Sequence, residues 1–168
     1  DIILSTGMSS MKEIKDALSI IAFGYLNQNK RTRISKKIFD EAFKSKLGKK
    51  TLEKKVTVLH CTTEYPTPIK DINLNAMISI AKKFNLKVGY SDHSKGYLVS
   101  LVAASIGATI IEKHFTLDKK LIGPDHKASL NPTEFSNMVK DIRKIEIIKG
   151  SYQKTVYKSE KKNINIAR

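Results

Sequence analysis

One cysteine, four prolines and no tryptophan stand in a chain of 168 residues. The lone Cys61 excludes an internal disulfide and fits a reducing, cytoplasmic setting. Aromatic residues make up 7% of the chain, too few to interleave with cations as a base-stacking surface requires. No stretch approaches the roughly 18 uninterrupted apolar residues of a membrane-spanning helix, so no membrane partner is expected. Acidic side chains are also scarce: 16 Asp and Glu stand against 31 Lys and Arg, a formal charge of +15. That imbalance opens one class of reading, a basic module that holds a polyanion. Lysine far outnumbers arginine, which favours solvated helix faces instead, and no nucleic-acid partner is expected. A positive field also steers small phosphorylated or carboxylated substrates.

What is present is globular. At 40% hydrophobic and 28% charged, the chain has the length and composition for one real core. It opens directly on a strand-like Asp1-Ile2-Ile3-Leu4 without an initiator Met, and reads as a piece of a longer protein.

The order of elements follows from the apolar periodicity. After the first strand, Ser5-Thr6-Gly7-Met8 is a small-residue turn. Ser10-Met11-Lys12-Glu13 is a capping box, and Ile14, Ala17, Leu18, Ile21 and Ala22 follow at helical spacing. A strand, a Ser/Thr/Gly turn and a helix N-terminus can cradle a phosphate, although many such turns serve only as caps. Residues 27–55 carry eleven basic residues against three acids and read as a solvent-facing insert. In it Ile34, Ile38, Ala42 and Phe43 form one helical stripe that Gly48 ends. Val56 to Leu59 is the second strand, followed by a proline-stiffened loop, His60 to Pro68. A helix over 73–84 leads to the strand Val88 to Tyr90. An apolar helix over 96–106, ended by Gly107, leads to the strand Thr109 to Ile111. Asn131-Pro132-Thr133-Glu134 opens the last helix with an N-cap, a proline at the first turn and a Glu behind it. From Gly150 the chain is polar and Lys-rich, a tail or linker over 151–168. This β-α-(insert)-β-α-β-α-β-α order predicts an α/β fold with a parallel sheet, either half of an eight-fold barrel or a small open sheet.

The strand tips carry the chemistry. Three of the four histidines, His60, His93 and His114, directly follow apolar strands, and ligands of parallel α/β folds sit outside the carboxyl ends of the strands. His93 and His114 are separated by one helix, so their strands are neighbours and both imidazoles reach one rim. Two neutral imidazoles hold a borderline divalent cation such as Mn²⁺ or Zn²⁺ with positions left open for substrate; the alternative is a pair of hydrogen-bonded core histidines. Glu112 and Asp125 suit the orientation of a polyhydroxylated substrate or acid/base steps, or else salt bridges with Lys113 and Lys127. Lys113 offers a point charge for a phosphate or carboxylate, and Ser5, Thr63 and Ser91 offer hydroxyl donors. Cys61 reads as a small buried residue rather than a nucleophile.

Five stretches together resemble the sialic acid synthases: Ser5-Thr6-Gly7-Met8, His60-Cys61-Thr62-Thr63-Glu64-Tyr65-Pro66, Gly89-Tyr90-Ser91-Asp92-His93, Ile111-Glu112-Lys113-His114-Phe115, and Gly123-Pro124-Asp125-His126-Lys127-Ala128-Ser129. The resemblance covers the chain apart from residues 27–55. It extends to the N-acetylneuraminate and legionaminic acid synthases and, less closely, to the pseudaminic acid synthases. It implies the fifth to eighth units of a (β/α)₈ TIM barrel over residues 1–150, with 151–168 leading toward an antifreeze-like C-terminal domain. It further implies condensation of phosphoenolpyruvate with an N-acetylmannosamine-type sugar, by a homodimer that uses Mn²⁺, Mg²⁺ or Co²⁺. His93 and His114 correspond to the metal ligands. Ser5 and Ser91 correspond to phosphoenolpyruvate contacts, and Tyr65, Glu112 and Asp125 to sugar contacts. Thr63 stands where some relatives place an Asn that contacts phosphoenolpyruvate. The family's catalytic glutamate and phosphate-binding lysines belong to the first four strands, so this segment alone is expected to be inactive or nearly so, with open sheet edges.

Overall fold

The computed structural model describes residues 1–27 and 34–167. Residues 28–33 of the expected insert, and the last residue of the expected tail, lie outside the described residues. Four strands, β1 (Ile2–Ser5), β2 (Val56–His60), β3 (Lys87–Asp92) and β4 (Ile111–Lys113), pair in parallel in the order of the chain. Sequential parallel pairing through right-handed crossovers puts every connecting helix on the same side of the sheet. The sheet curls into half of a barrel, as the sequence pattern allowed.

Side-chain alternation then sorts each strand. Ile2 and Leu4, Val56 and Val58, Val88 and Tyr90, and Ile111 point toward the helices and join one apolar cluster. That cluster takes Ile14, Leu18 and Ala22 from α1 (Met11–Leu26), Met77 and Ile80 from α4 (Asn75–Phe84), and Val99 and Ala103 from α5 (Leu98–Ser105). Leu18 is completely buried; burial of such a side chain stabilises by about 1.5–3 kcal/mol relative to exposure. Residues of the opposite parity, including Ser5, Leu59, Gly89, Ser91 and Glu112, occupy the face that the helices leave uncovered.

The capping boxes at Ser10–Glu13 and Asn131–Glu134 form, and Pro132 opens α6 (Pro132–Lys149). The basic segment departs from its expected form. Residues 34–55 form two helices, α2 (Lys36–Lys44) and α3 (Lys46–Lys55), within the crossover from β1 to β2. They are not a solvated excursion: Ala42 and Leu52 are buried in the main core. Gly48 ends nothing and sits inside α3. The break comes at Ser45, whose hydroxyl accepts from the Gly48 amide at 2.9 Å and donates to the Ala42 carbonyl at 2.8 Å. One side chain thus caps one helix and starts the next. The ion pair of Lys15 with Asp40, 2.5 Å, ties α2 to α1.

The last strand also sits later than expected. Thr109 and Ile110 still bond to β3 through the Val88 carbonyl and the Tyr90 amide. The regular ladder runs over Ile111 to Lys113, because Tyr90, Ser91 and Asp92 continue to offer partners there. The outer edge of β4 is partly closed by Leu130, which accepts from the Thr116 amide and donates to the His114 carbonyl. The tail contains two single-turn helices, α7 (Lys158–Lys161) and α8 (Ile164–Ala167). Among the described residues, no helix is long and apolar enough to cross a membrane.

Candidate functional site

At the carboxyl end of the sheet, three rings converge. Tyr65, in the loop after β2, stacks on His93 at 4.2 Å and on His114 at 5.3 Å between ring centroids. The two imidazoles lie 5.4 Å apart, edge to face. The loop that delivers Tyr65 is pinned from within. The Thr67 amide donates to the His93 carbonyl at 3.0 Å, and the Thr67 hydroxyl to the Glu64 carbonyl at 2.8 Å.

The hydrogen bonds of His93 define its free lone pair. Nδ1 lies 2.7 Å from the Thr62 carbonyl, which can only accept, so Nδ1 carries a proton. Nε2 lies 3.1 Å from the Ser91 hydroxyl. Ser91 has one proton, and it goes to the Glu112 carboxylate at 2.6 Å. Neutral His93 therefore presents an Nε2 lone pair that no protein donor satisfies, whereas the imidazolium would complete a chain from His93 through Ser91 to Glu112.

Around these rings is a cavity of about 10 Å³, lined by Tyr65, His93, His114 and Asp125 among others. That is the space of a single water or ion. A second hollow of about 340 Å³ lies beside His114, with Phe115, Pro124, Asp125, His126 and Ser129 around it. A larger groove, about 590 Å³, runs between α5 and α6 and is lined by none of the histidines. The smaller cavities are the candidate site because they bring the strand-tip histidines together with Asp125 at the carboxyl end of the sheet.

The predicted site residues separate by parity. Ser91, His93, Glu112 and His114 share the uncovered face, and Asp125 approaches from the loop before α6. Ser5 lies on the same face at the tip of β1, three strands from β4 and exposed. Thr63 sits against the β1–α1 turn: a β-carbon on Gly7 would come within 2.1 Å of its hydroxyl. Tyr65 is 47% exposed, with its ring turned over the histidines.

Lys113 is placed differently from its expected role. It lines the small cavity together with Asp92 and Ser94, but its charge is already taken up by them. Its side chain is 2% exposed and paired at 3.3 Å with Asp92, which is fully buried. It also donates to the Ser94 carbonyl. Burial holds the ammonium below the usual lysine range, an effect that Asp92 only partly offsets. A cation so committed is not a free charge for a substrate phosphate. Parity along β2 takes His60 out of the site: its Nε2 donates to the Ile72 carbonyl at 2.8 Å. His126 Nδ1 is 2.8 Å from the Thr116 hydroxyl.

The residue that sequence reasoning undervalued is Asp92. Its Oδ1 accepts from the Ser94 amide at 2.8 Å and the Ser94 hydroxyl at 2.7 Å, and its Oδ2 from the Ser100 hydroxyl at 2.6 Å. Ser-Asp-His-Ser carried a readable signal, because an Asp followed two residues on by Ser is an Asx-turn pattern.

Among the described residues, no group of three or more His, Cys, Asp or Glu side chains gathers as a metal centre. The pair His93 and His114 still fits a labile divalent cation, since it leaves most coordination positions to water or substrate and His93 Nε2 has no protein donor.

The family profile described as NeuB family matches residues 1–154. N,N'-diacetyllegionaminic acid synthase of Campylobacter jejuni is 46% identical over 167 residues, 99% of this chain and 42% of the relative. Human N-acetylneuraminate-9-phosphate synthase is 38% identical over 112 residues, 66% of this chain and 31% of the relative. The crystal structure of an N-acetylneuraminic acid (sialic acid) synthetase from Leptospira borgpetersenii in complex with citrate superposes with a TM-score of 0.70. It has 34% identity and covers 98% of this chain and 48% of that one. The chain thus spans less than half the length of these relatives. With four parallel β/α units, the strand-tip rings and this match over most of its length, the chain belongs to the NeuB family.

Proposed function

We propose that this segment supplies one half of the active site of a sialic-acid-type synthase, which condenses phosphoenolpyruvate with an N-acetylmannosamine-type sugar. The observation that carries the reading is the convergence of Tyr65, His93 and His114 beside Glu112 and Asp125 on the strand-tip face of a NeuB-family chain. His93 and His114 would hold Mn²⁺, Mg²⁺ or Co²⁺, which when bound supplies Lewis-acid polarisation of the open-chain sugar aldehyde. Carbon 3 of phosphoenolpyruvate forms the new bond to that aldehyde carbon. Water adds at carbon 2, and the carbon–oxygen bond to phosphate then breaks.

The chain's own groups act by position. Glu112, held by the Ser91 hydroxyl, and Asp125 accept from sugar hydroxyls. Tyr65 walls the rings from solvent and keeps the imidazoles in register. Ser5 and Thr63 offer hydroxyl donors to the phosphoenolpyruvate end of the site, where Ser91, its proton given to Glu112, can only accept. Lys113 is assigned no substrate contact. Residues 151–168 lead toward a further domain, and a homodimer completes the enzyme.

A second reading, with the sugar precursor of a legionaminic acid, is favoured by the 46% identity to a diacetyllegionaminic acid synthase over nearly the whole chain. Phosphate release from phosphoenolpyruvate distinguishes the two. It is measured with each sugar and Mn²⁺, on the chain and on a version extended to the length of its relatives. Expected is sugar-dependent release by the extended enzyme and little or none by the segment. A Lewis acid contributes several kcal/mol, so His93→Ala with His114→Ala should lower release about a hundred-fold or more. Unchanged release in that double variant would sink the metal assignment, and release indifferent to any N-acetylated sugar would sink the substrate class.

A further inference from the structure

Asp92 and Lys113 lie opposite each other in the β3–β4 pairing, in the wall of the small cavity that holds the two histidines. Each stands one residue before a histidine of the site, His93 and His114 respectively. Their network brackets His93 completely. Asp92 Oδ1 binds the amide and hydroxyl of Ser94, the residue after His93, while Lys113 Nζ donates to the Ser94 carbonyl. Asp92 Oδ2 is anchored to α5 through the Ser100 hydroxyl. The backbone on both sides of His93 is thus tied to the residue before His114, and the Asp92 end is held against α5.

From this geometry we infer that the buried Asp92–Lys113 pair is a positioning device, one that sets the separation and mutual angle of the His93 and His114 rings. It rests on the site reading above for its consequence, but not for its mechanism. A buried ion pair contributes little net stability and can often be replaced by apolar groups without loss. What a lysine and a carboxylate supply here is direction: the ammonium reaches Asp92 Oδ1 and the Ser94 carbonyl, and the carboxylate oxygens hold Ser94 on one side and Ser100 on the other. The pair keeps Asp92 from swinging the β3 tip toward solvent. It also keeps Lys113 from turning β4 by one residue, which would carry His114 to the wrong face.

The readout must separate position from stability. Ring-proton NOEs among Tyr65, His93 and His114, together with Co²⁺ titration, are recorded on the 168-residue chain. The variants are Lys113→Met, Asp92→Asn with Lys113→Met, and Ser100→Ala. Folding is checked by circular dichroism and melting temperature. Expected in Lys113→Met is weakening or loss of the His93–His114 and Tyr65–His93 NOEs, and at least about ten-fold weaker Co²⁺ binding. The neutral double variant should regain melting temperature yet not the NOEs. Ser100→Ala, which leaves the ion pair in place, should fold and shift the rings less. If any folded variant lacking the Lys113 ammonium keeps the wild-type ring NOEs, the inference is overturned. If the NOEs respond as stated while the wild type shows no Co²⁺ binding, the positioning role stands and the metal assignment falls.

Discussion

Ser91 and Glu112 face each other across the β3–β4 ladder, and the Ser91 hydroxyl donates to the Glu112 carboxylate at 2.6 Å. The bond consumes the only proton Ser91 has, so the same residue that orients Glu112 leaves His93 Nε2 without a donor. One hydroxyl thereby prepares a carboxylate for a sugar and an imidazole for a cation.

Ser91→Ala releases the exposed Glu112 and removes only a hydroxyl from the buried Ser91. A charge-assisted hydrogen bond in such a setting is worth about 1 kcal/mol, so kcat/KM for the sugar should fall about five-fold in the extended enzyme. Urea midpoints should barely move. An unaltered KM for the sugar would show that Glu112 needs no such support.

Gly48→Ala sets two effects against each other. Alanine is a better helix former than glycine by about 1 kcal/mol. The added β-carbon, however, would stand 1.9 Å from the Ala42 carbonyl oxygen, a backbone atom that cannot rotate away. Crowding wins, and a loss of about 1–3 kcal/mol is expected by chemical denaturation. A variant as stable as the wild type would mean that α2 and α3 can part at no cost.

Tyr90→Phe should act in the other direction. The Tyr90 side chain is completely buried and its hydroxyl has no hydrogen-bond partner. Burial, and then the Asp92 charge, push its ionisation well above the usual tyrosine range. Removal of an unsatisfied buried hydroxyl is expected to stabilise by about 1 kcal/mol. A drop in melting temperature would reveal a partner for that hydroxyl.

Lys113 makes a pH prediction with a definite sign. Burial lowers its folded-state ionisation below the ordinary 10.5. As pH rises through that interval, the folded chain loses the proton first and the unfolded chain binds more protons. This group's contribution to stability therefore increases with pH until the unfolded lysine titrates as well. Lys113→Met lacks the effect. The stability of the wild type relative to the variant should grow with rising pH on the approach to the ordinary lysine value of 10.5 in urea titrations. A constant difference would show that the buried lysine does not titrate in that range.

Much of this fold was legible because its signals are local. Ser10 with Glu13, and Asn131 with Pro132 and Glu134, state their helix starts within four residues. The apolar strands and their order predicted parallel β/α units, and the histidines marked the carboxyl ends. The basic segment misled for a physical reason. Its charge density described the outer faces of α2 and α3, while burial rested on Ala42, Leu52 and the tight approach at Gly48, which no charge count reveals. Lys113 misled in a similar way, since a lysine next to a histidine looks available until its strand register is known.

The chain alone determined the element types, the strand-tip chemistry and the candidate residues, because propensity, capping and apolar alternation act over a few residues. Which of the tip residues share a face depended on the tertiary structure. Ladder register decides parity along each strand, and parity sent His93, His114 and Glu112 to the open side while it committed Asp92 and Lys113 to each other and His60 to the Ile72 carbonyl. Register is set by long-range backbone pairing, and a shift of one residue would exchange the two sets.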